Sequence, residues 1–388
     1  MSNCISCGGR QTIGLVTIDR VPVLCNDLHR TSRDGRDAPT GRIDLSFCTS
    51  CGHYFNRSFK PELVYYSKNY ETSLYASHVF RNHASSLVDR FVSVYGIQDK
   101  KVLEIGCGRG DFLRSICEAG NNCGIGFDTS APFEGADPSL PNVSFVRDYF
   151  SPEHEEIRAD LIVCQQVLEH TDNPLEFLNR LSQTRTFRVG RPIIYIEVPN
   201  GLYTARDLGI WDLIYEHVSY FTPSSISRLV KSCGLEILDM GESFGGQYLY
   251  VEAVAGGRSC AEKAASVSET ETGIARQFSG RFHAKMETYT AWMSANADFL
   301  QRTHIWGAGS KGITFSNLVD PQGRIAGLID QNPKKHDRYI AGTGLPISGV
   351  SASALRDSAY VVVMNPQYTQ EIESQLRELG SRAQVVPA

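Results

Sequence analysis

The sequence predicts an α/β protein of several domains, and three observations carry that reading. From about Leu63 to Ala255, apolar strand-like runs alternate with amphipathic stretches, the pattern of helices packed on a mostly parallel sheet. A strand, a glycine loop and a helix follow one another twice, at residues 101–116 and again from His304. Two C-x-x-C pairs, each followed by glycine, enclose the first part of the chain. At 388 residues, two or three domains are the natural expectation.

Hydrophobic residues make up 41% of the chain and charged residues 21%, enough apolar side chains for a core throughout. The formal net charge of -5 leaves no broad basic surface. Nucleic acid is therefore disfavoured as a main partner, because phosphates call for clustered Lys and Arg. No window approaches the roughly 18 uninterrupted apolar residues of a membrane span. The opening Met-Ser-Asn-Cys-Ile-Ser-Cys lacks the basic and apolar regions of a secretory signal, so a cytoplasmic location is expected. There the 11 cysteines stay reduced, and paired ones read as metal ligands rather than disulfides.

Cys4-Ile-Ser-Cys7 and Cys48-Thr-Ser-Cys51 supply four thiolates, which suits tetrahedral zinc. Glycine after each pair lets the backbone turn tightly around an ion. With every position filled by sulfur, such a zinc is structural and not catalytic. Cys25, His29 and His53 read as loop or packing residues. The chain then divides into a zinc-binding domain at 1–60, a sheet domain at 61–257, a helical linker at 258–302 and a smaller α/β domain at 303–388. Gly256-Gly257 and a polar run from Ser266 to Gly273 mark the main boundary, and Ile274 to Leu300 reads as helix.

Lys101 to Ile105 is a short apolar strand running into Gly106-Cys107-Gly108-Arg109-Gly110, and Asp111 to Ile116 reads as helix. With Glu104 the pattern is E-x-G-x-G-x-G. Glycines bend the chain sharply and let a ligand lie against bare backbone. The spacing is not the G-x-G-x-x-G of pyrophosphate binders. The next strand, Gly124 to Phe127, ends in Asp128, a carboxylate placed to accept ribose hydroxyls. Val143 to Val146 and Asp160 to Cys164 are the third and fourth strands, followed by Asp148 and by Gln165-Gln166-Val167-Leu168-Glu169-His170.

These motifs resemble the class I S-adenosylmethionine-dependent methyltransferases, over about 150 residues. The resemblance implies a doubly wound sheet in the central domain. It also implies a cofactor site of Glu104, Gly106, Gly108, Gly110, Asp128, Asp148 and Gln165, with Asp128 on ribose and Asp148 on adenine. His170 reads as a helix-start or packing residue.

A fifth strand, Pro192 to Pro199, breaks into Asn200 and a long loop holding Trp211-Asp212-Leu213-Ile214-Tyr215-Glu216-His217-Val218-Ser219-Tyr220-Phe221. Loops beyond the carboxyl ends of parallel strands are where open α/β sheets place ligands. Glu216 beside His217 offers a tunable acid/base pair. Together with the four cysteines, the methyltransferase core and a last α/β domain, this run resembles the three-domain sugar C-methyltransferases. Members of that family methylate a carbon next to the ketone of a nucleotide-linked 4-keto deoxysugar. The resemblance implies His217, Glu216 and Tyr215 as catalytic residues. It departs at one place, since the family commonly has tyrosine three positions before the histidine, where this chain has Ile214. Gly245-Gly246-Gln247 likewise stands where the family has Gly-Gly-Ser.

His304-Ile305-Trp306 enters Gly307-Ala308-Gly309-Ser310-Lys311-Gly312, a G-x-G-x-x-G that on its own is a weak dinucleotide signal. The family resemblance implies instead a Rossmann-like domain that closes over substrate, with Lys311 and Asn365 toward the phosphates. Met364-Asn365 stands where the family often has Trp-Asn. Substrate-binding residues are then Asn200, Tyr220, Lys311 and Asn365, cofactors S-adenosylmethionine and structural Zn2+, and the partner a small molecule, a nucleotide sugar. In the expected mechanism His217 removes a proton beside a ketone, and Tyr215 or Tyr220 stabilises the enolate oxygen. Two rivals remain open from sequence: O- or N-methylation of another small metabolite, and a non-catalytic sensor of S-adenosylmethionine or NAD.

Overall fold

The computed structural model describes residues 3–388 except 67–69, 72, 132, 155, 185–186, 188–189 and 257–266. Gly257 and Ser266, two of the expected boundary residues, lie outside the described residues. Among those described, three sheets organise the chain.

The first is an antiparallel meander of β1 (Thr12–Pro22), β2 (Thr40–Cys48) and β3 (Tyr54–Asn56). Ile43, Leu45 and Phe47 alternate along β2 and are fully buried, the period-two pattern of a sheet with one face inward. The central sheet follows, with β4 (Lys101–Ile105), β5 (Cys123–Phe127), β6 (Gly135–Ala136), β7 (Val143–Val146), β8 (Leu161–Gln165) and β9 (Ile193–Pro199). The chain then leaves it. β10 (Ser219–Tyr220) pairs antiparallel with β3, with Tyr220 opposite Tyr54. A hairpin of β11 (Leu235–Ser243) and β12 (Tyr248–Ala255) returns to the central sheet, where β12 runs antiparallel to β9.

The central order is β11-β12-β9-β8-β4-β5-β7-β6. From β4 the chain winds outward through β5 and β7 on one side and through β8 and β9 on the other. That is a doubly wound sheet, and its switch point is the crevice between the carboxyl ends of β4 and β8. Both faces are covered, which explains the near-continuous apolar strands. Leu87, Phe91, Leu113 and Ile116 of helices His78–Tyr95 and Asp111–Gly120 pack one face. Leu178, Leu181, Ile226 and Leu229 of helices Pro174–Gln183 and Pro223–Ser232 pack the other.

After the long helix Glu269–Ala295 comes the third sheet. It comprises β13 (Thr303–Trp306), β14 (Gly327–Asp330), β15 (Arg338–Tyr339), β16 (Pro346–Gly349), β17 (Tyr360–Val363) and β18 (Gln384–Pro387). Its order is β15-β16-β14-β13-β17-β18, parallel apart from β15. One contiguous core joins Phe47 of the first sheet, Trp211 and Tyr215 of the loop before β10, Phe278 of the long helix and Phe315 beside the third sheet. The first sheet therefore takes its fourth strand and much of its core from residues beyond 60. Among the described residues, no helix is long and apolar enough to cross a membrane.

Candidate active site

A cavity of ≈ 1410 Å³ opens at the switch point of the central sheet and is closed from the other side by loops of the third sheet. Gly106, Asp128 and Gln165 line it from the first direction, and Gly307, Lys311 and Asn365 from the second.

The glycine loop after β4 is shaped by positive φ angles. Gly106 (φ 73°) passes so close to Val167 that an added Cβ would lie 2.2 Å from Val167 Cγ2. Gly108 (φ 51°) is different, because a Cβ there would meet nothing within 4 Å and would project into space a ligand needs. Its N–H donates to Asp128 Oδ2 at 2.8 Å, while Ser130 N–H and Oγ–H donate to Asp128 Oδ1 at 2.7 and 2.6 Å. Gly110 does not line the cavity. It caps the helix Asp111–Gly120, with a hypothetical Cβ 2.3 Å from the Phe145 ring, a turn-and-packing position.

Glu104 is buried beside this loop, and its Oε2 has no hydrogen-bond partner. Burial pushes its carboxyl well above the ordinary range, with Asp128 and Asp111 adding to the effect. An unpartnered carboxylate oxygen next to bare glycine backbone fits a cofactor that carries positive charge, as S-adenosylmethionine does. Gln165 ends β8 and donates to Glu197 Oε1 at 3.3 Å. Asp148 sits exposed at the rim, its Oδ1 accepting from Tyr149 N–H at 2.7 Å. Gln166 holds φ 54°, a left-handed backbone that is costly for a non-glycine residue and is fixed by its N–H bond to the Glu197 carbonyl at 2.8 Å.

His217 lines the cavity and is 8% exposed, and its Nδ1 has no hydrogen-bond partner. Burial holds its pKa well below the ordinary value, and neighbouring His170 and Lys311 lower it further. The two imidazoles meet edge to face with centroids 4.9 Å apart. His170, read from sequence as a packing residue, thus belongs to the cavity wall, with its own pKa pushed down to about 4 by burial.

A turn closed by the His217 N–H and the Ile214 carbonyl at 3.2 Å sends the neighbouring side chains in different directions. The Glu216 carboxylate is turned to partners other than the His217 ring. It accepts from Cys25 N–H at 2.5 Å and from the Tyr70 hydroxyl, and burial pushes its pKa up to about 7. Tyr215 lies outside the cavity. Its hydroxyl accepts from Lys60 N–H at 2.9 Å, and its ring fills the space left by Gly41, where a Cβ would approach within 2.2 Å. Tyr220 stands beside His217 with ring centroids 6.0 Å apart but does not line the cavity, and its hydroxyl donates to the Ile214 carbonyl at 3.2 Å. Asn200 is an N-cap: its Oδ1 accepts from Leu202 N–H at 3.0 Å and its Nδ2 donates to the Gly246 carbonyl at 2.8 Å. Tyr220 and Asn200, both expected at the substrate, thus make internal bonds in this structure.

On the opposite wall, Lys311 opens the helix Ser310–Val319 and pairs with Asp212. Asn365 lines the cavity, yet its amide is held by Gln247 in a reciprocal pair. Asp330 repeats the geometry of Asp128 by accepting from Ala308 N–H at 2.8 Å. Here a lysine joins it, for the buried Lys335 amine donates to the Ala308 carbonyl at 3.0 Å and lies 3.5 Å from Asp330 Oδ2.

The four cysteines converge at the end of β2. Cys4 Sγ–Cys51 Sγ and Cys7 Sγ–Cys48 Sγ are both 3.7 Å, and all four sulfurs lie within 4.8 Å of one another. Sulfurs at about 2.3 Å from a tetrahedral ion are separated by about 3.8 Å. Gly8 and Gly52 hold φ 70° and 80° in the two knuckles. The residues present fit a bound metal ion.

Sequence reading missed Glu169, Tyr66 and Tyr70. Glu169 and His170 lie on the one-turn helix Leu168–His170 shortly after β8, on the far side of the switch point from the glycine loop, and that position is the available signal. Tyr66 and Tyr70 come from the segment before the central sheet, which no local motif ties to the site.

Residues 75–239 match the family model of a methyltransferase domain, and residues 255–386 that of a C-methyltransferase C-terminal domain. C-methyltransferase NovU of Streptomyces niveus is 23% identical over 98% of this chain and 94% of its own length. A ubiquinone biosynthesis O-methyltransferase of Aromatoleum aromaticum is 26% identical over 37% of this chain and 68% of its own. Among solved structures, the 1,6-didemethyltoxoflavin-N1-methyltransferase of Burkholderia thailandensis, with S-adenosylhomocysteine bound, is 16% identical. It covers 46% of this chain and 82% of its own at a TM-score of 0.34.

Proposed function

Since the chain is an S-adenosylmethionine-dependent methyltransferase with a C-methyltransferase C-terminal domain, we propose that its acceptor is a nucleotide-linked keto-deoxysugar, methylated on the carbon next to its ketone. The observation that carries this reading is His217 Nδ1. It is an imidazole nitrogen buried without a partner on the wall of the cavity that also holds the glycine loop.

S-adenosylmethionine, when bound, supplies an electrophilic methyl group. Glu104, Gly106, Gly108, Asp128 and Gln165 are the residues to hold it, with Asp148 at the rim. His217 takes the proton from the carbon beside the ketone, leaving an enolate whose carbon is the nucleophile. Stabilising the enolate oxygen requires a donor within the cavity. Neither Tyr215 nor Tyr220 lines the cavity and the Tyr70 hydroxyl already donates to Glu216, so the role passes to Tyr66, which lines the cavity. The Tyr66 hydroxyl lies 3.3 Å from His170 Nδ1. Glu216, bonded to Tyr70 and to Cys25, positions that tyrosine rather than the base. Lys311, with Arg109 also on the wall, gives the cavity cationic groups suited to a diphosphate. Zinc is the ion proposed for the four cysteines, in a structural role.

Incubation with labelled methyl donor and a panel of 4-keto nucleotide sugars tests the reading. Label on carbon is the expected result. Label on oxygen or nitrogen of another metabolite would leave a methyltransferase without this substrate.

A further inference from the structure

Glu169, His170 and His217 each bring one ligand atom into a cluster whose members lie within 4.8 Å of one another. None of them donates a hydrogen bond to another. His170 Nδ1 faces the Glu216 carbonyl at 3.1 Å, so that nitrogen carries the proton and Nε2 is a lone pair. That Nε2 stands 4.0 Å from Glu169 Oε1. Both carboxylate oxygens of Glu169 lack a hydrogen-bond partner although the residue is 0% exposed. His217 Nδ1 lacks one as well. Three acceptors grouped in a buried setting are costly unless something positive lies among them.

Two imidazoles and a carboxylate, all on the wall of an open cavity, make the donor set of a transition-metal centre with free coordination positions. The carbonyl on His170 Nδ1 fixes the ring tautomer, as the outer partner of a metal-bound histidine does. Magnesium and calcium prefer all-oxygen surroundings and do not suit the set.

We propose that Glu169, His170 and His217 form a second metal site, separate from the four cysteines, for a divalent cation such as zinc or cobalt, and that filling it silences the enzyme. Coordination and proton abstraction compete, because the lone pair that holds the cation is the one that takes the proton. The coordination stands on the three side chains alone, whereas the inhibition rests on the reading of His217 as base.

Protein carrying its four-cysteine metal, titrated with cobalt(II), tests both parts. Visible d–d bands without thiolate-to-metal charge transfer are expected, with methyl transfer falling along the same curve. Glu169→Gln and His170→Asn should each weaken cobalt binding at least about tenfold. Retained S-adenosylhomocysteine binding shows that those variants are folded. A wild-type protein without such bands, or bands that both substitutions leave unchanged, would overturn the site. Cobalt binding with undiminished methyl transfer would overturn the inhibition and with it the assignment of His217, while the coordination stood.

Discussion

Gln247 and Asn365 exchange both of their amide hydrogen bonds, Gln247 Nε2 to Asn365 Oδ1 at 2.8 Å and Asn365 Nδ2 to Gln247 Oε1 at 3.0 Å. Both side chains are buried, and they tie the start of β12 to the end of β17. Gln247 stands where the sequence departs from the sugar C-methyltransferase pattern, and Asn365 directly follows Met364, the other departure. The pair is a direct contact between the central and third sheets.

Removing one half leaves a buried amide without a partner. Gln247→Met and Asn365→Leu should each lower unfolding stability by about 1–3 kcal/mol. The double variant should lose less than the sum of the two, with a coupling of at least about 0.5 kcal/mol by a denaturant-measured double-mutant cycle. Strict additivity would mean that the pair does not link the sheets.

Gly108 faces open space, so a side chain there costs the folded chain little beyond its positive φ, about 1–2 kcal/mol. Gly108→Val should fold, as its thermal unfolding will show, yet lose the rise in Tm that S-adenosylhomocysteine gives the wild type. An unchanged ligand-induced shift would remove the glycine loop from the cofactor site.

Tyr215→Phe deletes a hydroxyl bonded to the Lys60 backbone and nothing in the cavity. A stability loss of about 1 kcal/mol is expected, with kcat within about twofold of the wild type. A loss of 100-fold or more, on the scale of general acid–base or oxyanion contributions, would return Tyr215 to the chemistry.

The four-cysteine cluster is sewn to the segment from Ser219 to Arg228, just after the His217 turn. Thr222 Oγ1 donates to the Gly52 carbonyl at 3.2 Å, Arg228 to the Ser50 carbonyl at 2.8 Å, and His53 Nε2 shares a bond with Ser219 Oγ at 3.2 Å. Chelation, or Cys51→Ser, should therefore lower the Tm and reduce methyl transfer together, even though the ion touches no reacting atom. Full activity in protein shown to be metal-free would separate the two sites.

The glycine loop, the strand-end acid Asp128 and the cysteine knuckles were legible because each rests on local backbone geometry at fixed spacing. The run Tyr215-Glu216-His217 was legible only as a run. Its turn sends one side chain to Lys60, one to Cys25 and Tyr70, and one to the cavity, and such divergence depends on partners more than 140 positions away in sequence. Asn200 carried a readable signal, since asparagine at the end of a strand and the start of a helix is a preferred N-cap. The strand β10 is only two residues long and pairs across 164 positions with β3, so no periodicity announces it.

Deuterium exchange tests the central claim most directly. With S-adenosylhomocysteine in place of the methyl donor, the enzyme can still remove the proton from the carbon beside the ketone, and in heavy water that carbon should take up deuterium. His217→Ala should abolish both this exchange and methyl transfer while still binding S-adenosylhomocysteine. Glu216→Gln should weaken both less, through Tyr70 and the loop. Exchange and turnover largely retained in His217→Ala would contradict the account, because no proton would then be leaving through that nitrogen.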